Sequence, residues 1–287
     1  VRRTAPSRRE PRLPLLVSRL AAALATCGAW AIEPRPRGKP RVLRQLPGGE
    51  SNESWLLAWG EHRLVLRLDG LDPAAPGLDR DEERALQGAA AAAGLAPPPR
   101  FGGADFLVSD YLHDDGAGPD PADATARAQL LRAIHGLKVR ARHLAPAAYL
   151  EACEARAGAI PGALPALARA RLAALATPGD APVLCHNDLT AGNCLRHRGR
   201  LLAVDWEYAA LGSRWLDLAR TAGDSAAAVE AYLARSPGRD EQRALSAARA
   251  LLPYVDALWY SLHGRGDAVD WPAVTRALET ADAGGHR

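Results

Sequence analysis

Methionine is absent from this 287-residue chain, and lysine nearly so, with Lys39 and Lys138 as the only two. Any chemistry that needs a cation must therefore draw mostly on arginine. The missing methionine, with Val1 at the start and an Ala/Arg-rich composition, reads as a GC-rich coding sequence with a non-AUG start taken literally. It says nothing of function. Cysteine is scarce too. The spacings of Cys27, Cys153, Cys185 and Cys194 fit no zinc pattern, and four thiols are too few for a disulfide scaffold. They read as reduced, small apolar residues of a cytoplasmic protein. No segment approaches the roughly 18 uninterrupted apolar residues of a membrane helix, which excludes an ordinary multi-span membrane protein. A formal charge of +3, from 36 basic against 33 acidic residues, is too small to call for a polyanionic partner. No internal repeat is present.

What the chain does have is apolar material, 48% of its residues, enough for a sizeable core. Residues 1–12 form a basic tail with Arg2, Arg3, Arg8, Arg9 and Arg12 against Glu10. No aromatic residue is interleaved there, so nucleic-acid binding is not expected. The apolar stretch after it, ending in Ala29-Trp30-Ala31, has features of a secretory signal. Arg19 interrupts it, however, and Leu16, Leu20, Leu24 and Cys27 recur at helical spacing, which predicts an amphipathic helix.

Residues 41–68 read as strands, with Trp55, Leu57 and Trp59 alternating and a short run His62–Leu68 after a Gly60-Glu61 turn. Residues 80–93 read as a helix that ends at Gly94, ahead of Pro97-Pro98-Pro99. Phe106-Leu107-Val108 is one more strand, and Gly116–Pro119 is a break. From about 121 onward the pattern is helical, interrupted by a β run at Arg200–Asp205. The expected fold class is α+β with two lobes. A basic tail (1–12) precedes a β-rich lobe (13–112), and a larger helical lobe (113–287) follows, with the functional cleft between the lobes.

The segment His186-Asn187-Asp188-Leu189-Thr190-Ala191-Gly192-Asn193 carries the chemistry. Its His, Asp and Asn have the spacing of the kinase catalytic loop. Asp188 suits a group that accepts or orients the proton of an attacking hydroxyl. Asn193 offers a neutral oxygen to Mg²⁺, and His186 braces the loop. Asp205, at the end of an apolar strand, adds a carboxylate, and hard oxygen donors suit magnesium.

Residues 183–219, with this loop and Asp205-Trp206-Glu207-Tyr208-Ala209, resemble the choline/ethanolamine kinase and thiamine kinase branch of the aminoglycoside-phosphotransferase-like superfamily. The resemblance extends weakly over about 41–265. It implies a protein-kinase-like fold and Mg²⁺-dependent phosphorylation of a small molecule's hydroxyl by ATP. Leu46–Trp55 is similar to the family's Gly-Gly-x-x-Asn nucleotide loop, with Ser51 and Asn52 as phosphate donors. The phosphate cation of kinases then falls on Arg67, in a Leu-Arg-x-x-Gly strand similar to that of choline-kinase-like proteins, with Arg63 as the alternative. Its carboxylate partner would be Glu83, with Glu82 second. Ser109-Asp110-Tyr111-Leu112 would meet adenine through backbone groups, Asp110 and Leu112 among them. Asp217 would brace the catalytic loop.

For the acceptor, Glu207 and Tyr208 with Trp206, Trp215, Trp259 and Tyr260 offer a carboxylate beside aromatic faces. That combination suits an amine or quaternary ammonium. The expected acceptor is a small, cationic alcohol such as choline, ethanolamine or thiamine. An aminoglycoside or amino-sugar phosphotransferase, and a non-catalytic nucleotide-binding module, are the alternatives.

Overall fold

Along Arg63–Leu68, Leu64, Leu66 and Leu68 alternate with Arg63, Val65 and Arg67, so from Leu64 onward one face of the strand is apolar. That alternation sets the architecture of the first of two units in the computed structural model, which describes residues 12–47, 52–70, 78–177 and 179–280. By their internal contacts the units are 1–71 with 98–112, and 72–97 with 113–287.

The first unit starts with α1 (Arg12–Ala25), followed by β1 (Arg41–Gln45), β2 (Glu53–Trp59) and β3 (His62–Leu68). β4 (Pro99–Gly102) and β5 (Phe106–Asp110) complete an antiparallel sheet of order β1-β2-β3-β5-β4. Leu57, Trp59, Leu64, Leu66, Leu68 and Val108 form its buried face, covered by Leu16, Leu20 and Leu24 of α1 together with Cys27, Trp30 and Ile32. Each such burial contributes about 1.5–3 kcal/mol. The helical spacing in α1 therefore serves to cap this sheet. Trp30 packs edge-on against Trp59, with ring centroids 5.8 Å apart. β4 starts inside the proline run that was expected only to end a helix.

In the second unit α2 (Arg80–Ala92) is capped by Asp79, whose side chain accepts from Glu82 N at 3.0 Å. Its Leu86 and Ala90 enter a core shared with α3 (Ala124–His135), α4 (Pro146–Glu154), α5 (Leu164–Ala174) and the helices below. Two small β elements follow. β6 (Val183–Cys185) pairs with the later β9, and β7 (Cys194–His197) forms a hairpin with β8 (Arg200–Ala203). The hairpin turns on Arg198 and Gly199, both at positive φ, as a tight two-residue turn requires. After β9 (Ala210–Gly212) come α6 (Arg214–Ala222), α7 (Ala226–Leu233), the 24-residue α8 (Arg239–Leu262) and α9 (Trp271–Thr280). Among the described residues no helix is long and apolar enough to cross a membrane.

Candidate functional site

β6 delivers the chain into the loop 186–193, and one buried carboxylate holds that loop in place. Asp217, on α6, accepts from His186 N at 2.7 Å through Oδ2 and from Asn187 N at 2.9 Å through Oδ1. His135 Nε2 lies 3.0 Å from the same Oδ2, and its Nδ1 is 2.7 Å from the Tyr232 hydroxyl. Burial pushes the Asp217 carboxyl up. The hydrogen bond and charge of His135, with the contributions of His186, outweigh this and hold it below the usual carboxylate range.

His186 is fully buried, and burial keeps its imidazole neutral by lowering its pKa. Its Nε2 donates to the Val204 carbonyl at 3.1 Å, and its ring meets the Trp206 edge at 5.0 Å. These contacts tie the start of the loop to the segment 204–206. Asn187 sits at φ 66°, a region Asn tolerates better than most residues, and its Nδ2 donates to the Tyr208 carbonyl at 2.8 Å.

Asp188 and Asn193 are in direct contact. Asn193 Nδ2 donates to the Asp188 carbonyl at 2.9 Å and to Asp188 Oδ2 at 2.7 Å. Burial pushes the Asp188 carboxyl up to about 6, against the opposing pull of Arg220 and of the Asn193 hydrogen bond. Arg220 is itself paired with Asp256 at 2.5 Å. The Val204 amide donates to the Asn193 carbonyl at 2.9 Å, so the loop and the strand end that carries Asp205 are stitched together next to both side chains. Asp205 has φ 64°, a strained conformation of the kind that concentrates at functional sites.

These residues fit a hard divalent cation. Asn193 commits its amide nitrogen to Asp188, so its oxygen is the group it has left to turn to a metal, and Asp205 adds a carboxylate. The closely spaced group His135, Cys185 and Asp217 is a poorer host. All three are buried, and both oxygens of Asp217 are taken by the loop amides and His135.

Other expected residues are placed as follows. Glu207 is buried and ion-paired with Arg80 at 3.1 Å, so its carboxylate is committed within the protein rather than open to an acceptor's amine. Arg80 also pairs with Glu83 at 2.8 Å. Glu82 instead engages Arg142, through that residue's amide and its Nε, the latter at 2.7 Å. Trp206 and Trp215 are core residues, not acceptor surface. Their indole nitrogens donate to the Ala203 carbonyl at 3.1 Å and to Asp180 at 2.6 Å. Tyr208 and Trp259 do come together, the Trp259 indole nitrogen donating to the Tyr208 hydroxyl at 2.9 Å. His263 stacks on Trp259 with centroids 4.0 Å apart, and Tyr260 meets it edge-on.

In the first unit, Arg67 lies on the sheet face opposite the α1 core, opposite Ser54 in register, with its guanidinium 3.3 Å from Asp69. Arg63 is exposed, and its guanidinium donates to the carbonyls of Gly60 and His62. Buried Asn52 accepts from Gly70 N at 3.3 Å through its oxygen, and its Nδ2 has no partner among the described residues. Ser51 lies outside the described residues. Asp110 is held by Arg100 through two bonds of 2.7 and 2.6 Å, and its amide donates to the Pro98 carbonyl. Any contact it makes to a base therefore runs through its own carbonyl. Leu112 is half-buried at the end of this unit.

Arg80 carried only a weak signal in the sequence, its i,i+3 spacing to Glu83. Its pairing with Glu207 spans 127 positions.

The same architecture occurs in solved structures. The choline kinase LicA from Streptococcus pneumoniae superposes with a TM-score of 0.67 at 18% identity, over 94% of this chain and 99% of that one. A choline/ethanolamine kinase family protein from Mesorhizobium loti gives 0.64 at 19% identity, over 92% and 99%. The macrolide 2'-phosphotransferase MphH from Brachybacterium faecium gives 0.56 at 20% identity, over 92% and 98%. These likenesses establish a kinase-like fold. A sequence comparison with curated proteins gave no match. The model of the phosphotransferase enzyme family matches residues 42–253, most of the chain and all of the loop described above, and the protein belongs to that family.

Proposed function

We propose that the protein transfers the γ-phosphoryl group of ATP to the hydroxyl of a small, amine-bearing alcohol, with Mg²⁺ as the metal. The observation that carries this reading is the hydrogen bond from Asn193 to Asp188 together with the backbone bond from Val204 to Asn193, which ties the segment carrying Asp205 to that loop. Asp188, its carboxyl pushed up to about 6 by burial, takes the proton of the acceptor hydroxyl in its ionised form. The hydroxyl oxygen forms its bond to the γ-phosphorus as the bond to the ADP oxygen breaks, and ADP leaves. Asn193 and Asp205 would hold Mg²⁺, which when bound would supply neutralisation of phosphate charge. Arg67 is the cation for the phosphates in a chain with almost no lysine, and Asn52 Nδ2, which has no partner among the described residues, is a donor suited to a phosphate oxygen. Asp110 and Leu112 serve the base through their backbone.

The half-buried Tyr208–Trp259 pair, with Tyr260 beside it, gives the acceptor's amine aromatic surface. Asp256, on the same helix as Trp259, is also ion-paired, with Arg220 at 2.5 Å, but it is about half-exposed where Glu207 is buried, and it takes the place of Glu207 in this role.

ADP release measured over choline, ethanolamine, thiamine, amino sugars and aminoglycosides tests the reading. Acceptor-dependent release is expected with one of the small amine alcohols. Release only with aminoglycosides would overturn the acceptor class. Binding of Mg·ATP without ADP release with any acceptor would make the protein a non-catalytic nucleotide-binding module.

A further inference from the structure

One guanidinium nitrogen, Arg80 Nη1, lies 2.8 Å from Glu83 Oε2 and 3.1 Å from Glu207 Oε2. The glutamate side chains are only 2% and 3% exposed, and that of Arg80 is 18% exposed. Two carboxylates this deep lose their hydration and repel each other, and a shared guanidinium offsets both effects. The helix itself does not explain the arginine. Arg80 opens α2 directly after its cap, where the helix dipole disfavours a cation, and the next three residues, Asp81, Glu82 and Glu83, are acidic.

The other end of the bridge explains it better. Glu207 stands two residues after Asp205, whose φ of 64° must be held by its surroundings. It also directly precedes Tyr208, whose carbonyl receives the Asn187 side chain from the catalytic loop. Arg80 therefore ties α2 to the short segment that carries Asp205.

We propose that Arg80 is a positioning residue. By holding Glu207 it fixes the backbone of residues 204–208, and with it the direction of the Asp205 carboxylate. By holding Glu83 with the same nitrogen it sets α2 against that segment. Arg80 touches no reacting atom in this scheme. Its consequence for metal binding rests on the reading of Asp205 given above.

The test is a double-variant cycle of Arg80→Met, Glu207→Gln and both together, with Arg80→Lys as a charge-retaining control. Two quantities are read: hydrogen exchange of the amides of residues 204–208 in ligand-free protein, and the Mg²⁺ concentration giving half-maximal ADP release. Each single change is expected to speed exchange about tenfold and to raise the Mg²⁺ requirement about 10–100-fold, the usual effect of losing an outer partner of a metal ligand, with a smaller loss of kcat at saturating Mg²⁺. The double variant should match the worse single one, and Arg80→Lys should recover part of both effects. The proposal is overturned if the two changes multiply, if exchange at 204–208 is unaltered, or if kcat falls with the Mg²⁺ dependence unmoved. Should Arg80→Met fail to fold, the comparison of Arg80→Lys with Glu207→Gln decides on the same readouts. Wild-type protein that never releases ADP would defeat the kinase reading, while the exchange cycle still decides whether Arg80 holds the segment.

Discussion

Asn193 donates its side-chain amide to the carboxylate of Asp188 across 2.7 Å, inside a loop whose backbone is held by a third residue. That bond favours the ionised carboxylate, against the burial that pushes its pKa up to about 6. Proton acceptance needs the ionised form, so kcat/KM should rise with pH through about 6 in the wild-type protein. Asn193→Ala removes a stabilising donor, so the acid limb of the profile should move to higher pH. A pH–rate profile of both proteins checks this, and an unmoved limb would disconnect Asn193 from Asp188.

Asp188→Asn should lower turnover by ~10²–10⁴, the range for loss of a general base. The same change should stabilise the fold at pH 7. Asp188 is harder to ionise folded than unfolded, so its charge costs stability above about pH 6 and costs nothing below about 4. The gain should be on the order of 1–3 kcal/mol at neutrality and vanish in acid. Urea unfolding at pH 7 and pH 4 measures it, and a destabilised Asn variant at pH 7 would contradict the burial argument.

Asp205→Asn keeps the shape and the tolerance of left-handed backbone while discarding the charge. Mg²⁺-dependent ADP release should fall at least about 100-fold while the melting temperature stays near that of the wild type. Titration with Mg²⁺ and a thermal melt on the same preparation suffice. Retained activity would remove Asp205 from the metal.

Asp217→Asn attacks the brace. The buried carboxylate receives two loop amides and His135, and its loss should cost about 3 kcal/mol at pH 7, the scale for breaking a buried charged partnership. The folded-state pKa of this carboxyl is depressed, so its contribution is complete above the unfolded value and disappears as pH falls through the folded one. The gap between wild type and variant should therefore narrow in acid. Chemical denaturation across pH 3–7 checks it.

Much of this was legible in the sequence because it is local. The alternation of Leu64, Leu66 and Leu68 dictates a strand with one buried face, and the spacing from His186 to Asn193 describes a loop short enough to bring Asp188 and Asn193 into contact. The place of Asp205 beside Asn193 follows from the β7–β8 hairpin and its two-residue turn, of which the sequence pattern displays only the second strand. What could not be read is set by distance along the chain. Glu207 looks like an acceptor carboxylate until Arg80, far upstream, claims it. Trp206 and Trp215 look like aromatic surface until helices throughout the second unit close over them. Periodicity specifies which face of an element is buried, but not which charge from another element will meet it.

The placement of α2 also bears on how the chain is made. Leu86 and Ala90 belong to a core whose other members lie mostly after residue 120, yet α2 is synthesised between two parts of the first unit. During vectorial synthesis its apolar stripe emerges well before α3, α6 and α8 exist to cover it. Leu86 and Ala90 belong to the core of the second unit, so this stretch of the nascent chain waits on later helices before that core can close. An interval of this kind favours chaperone engagement.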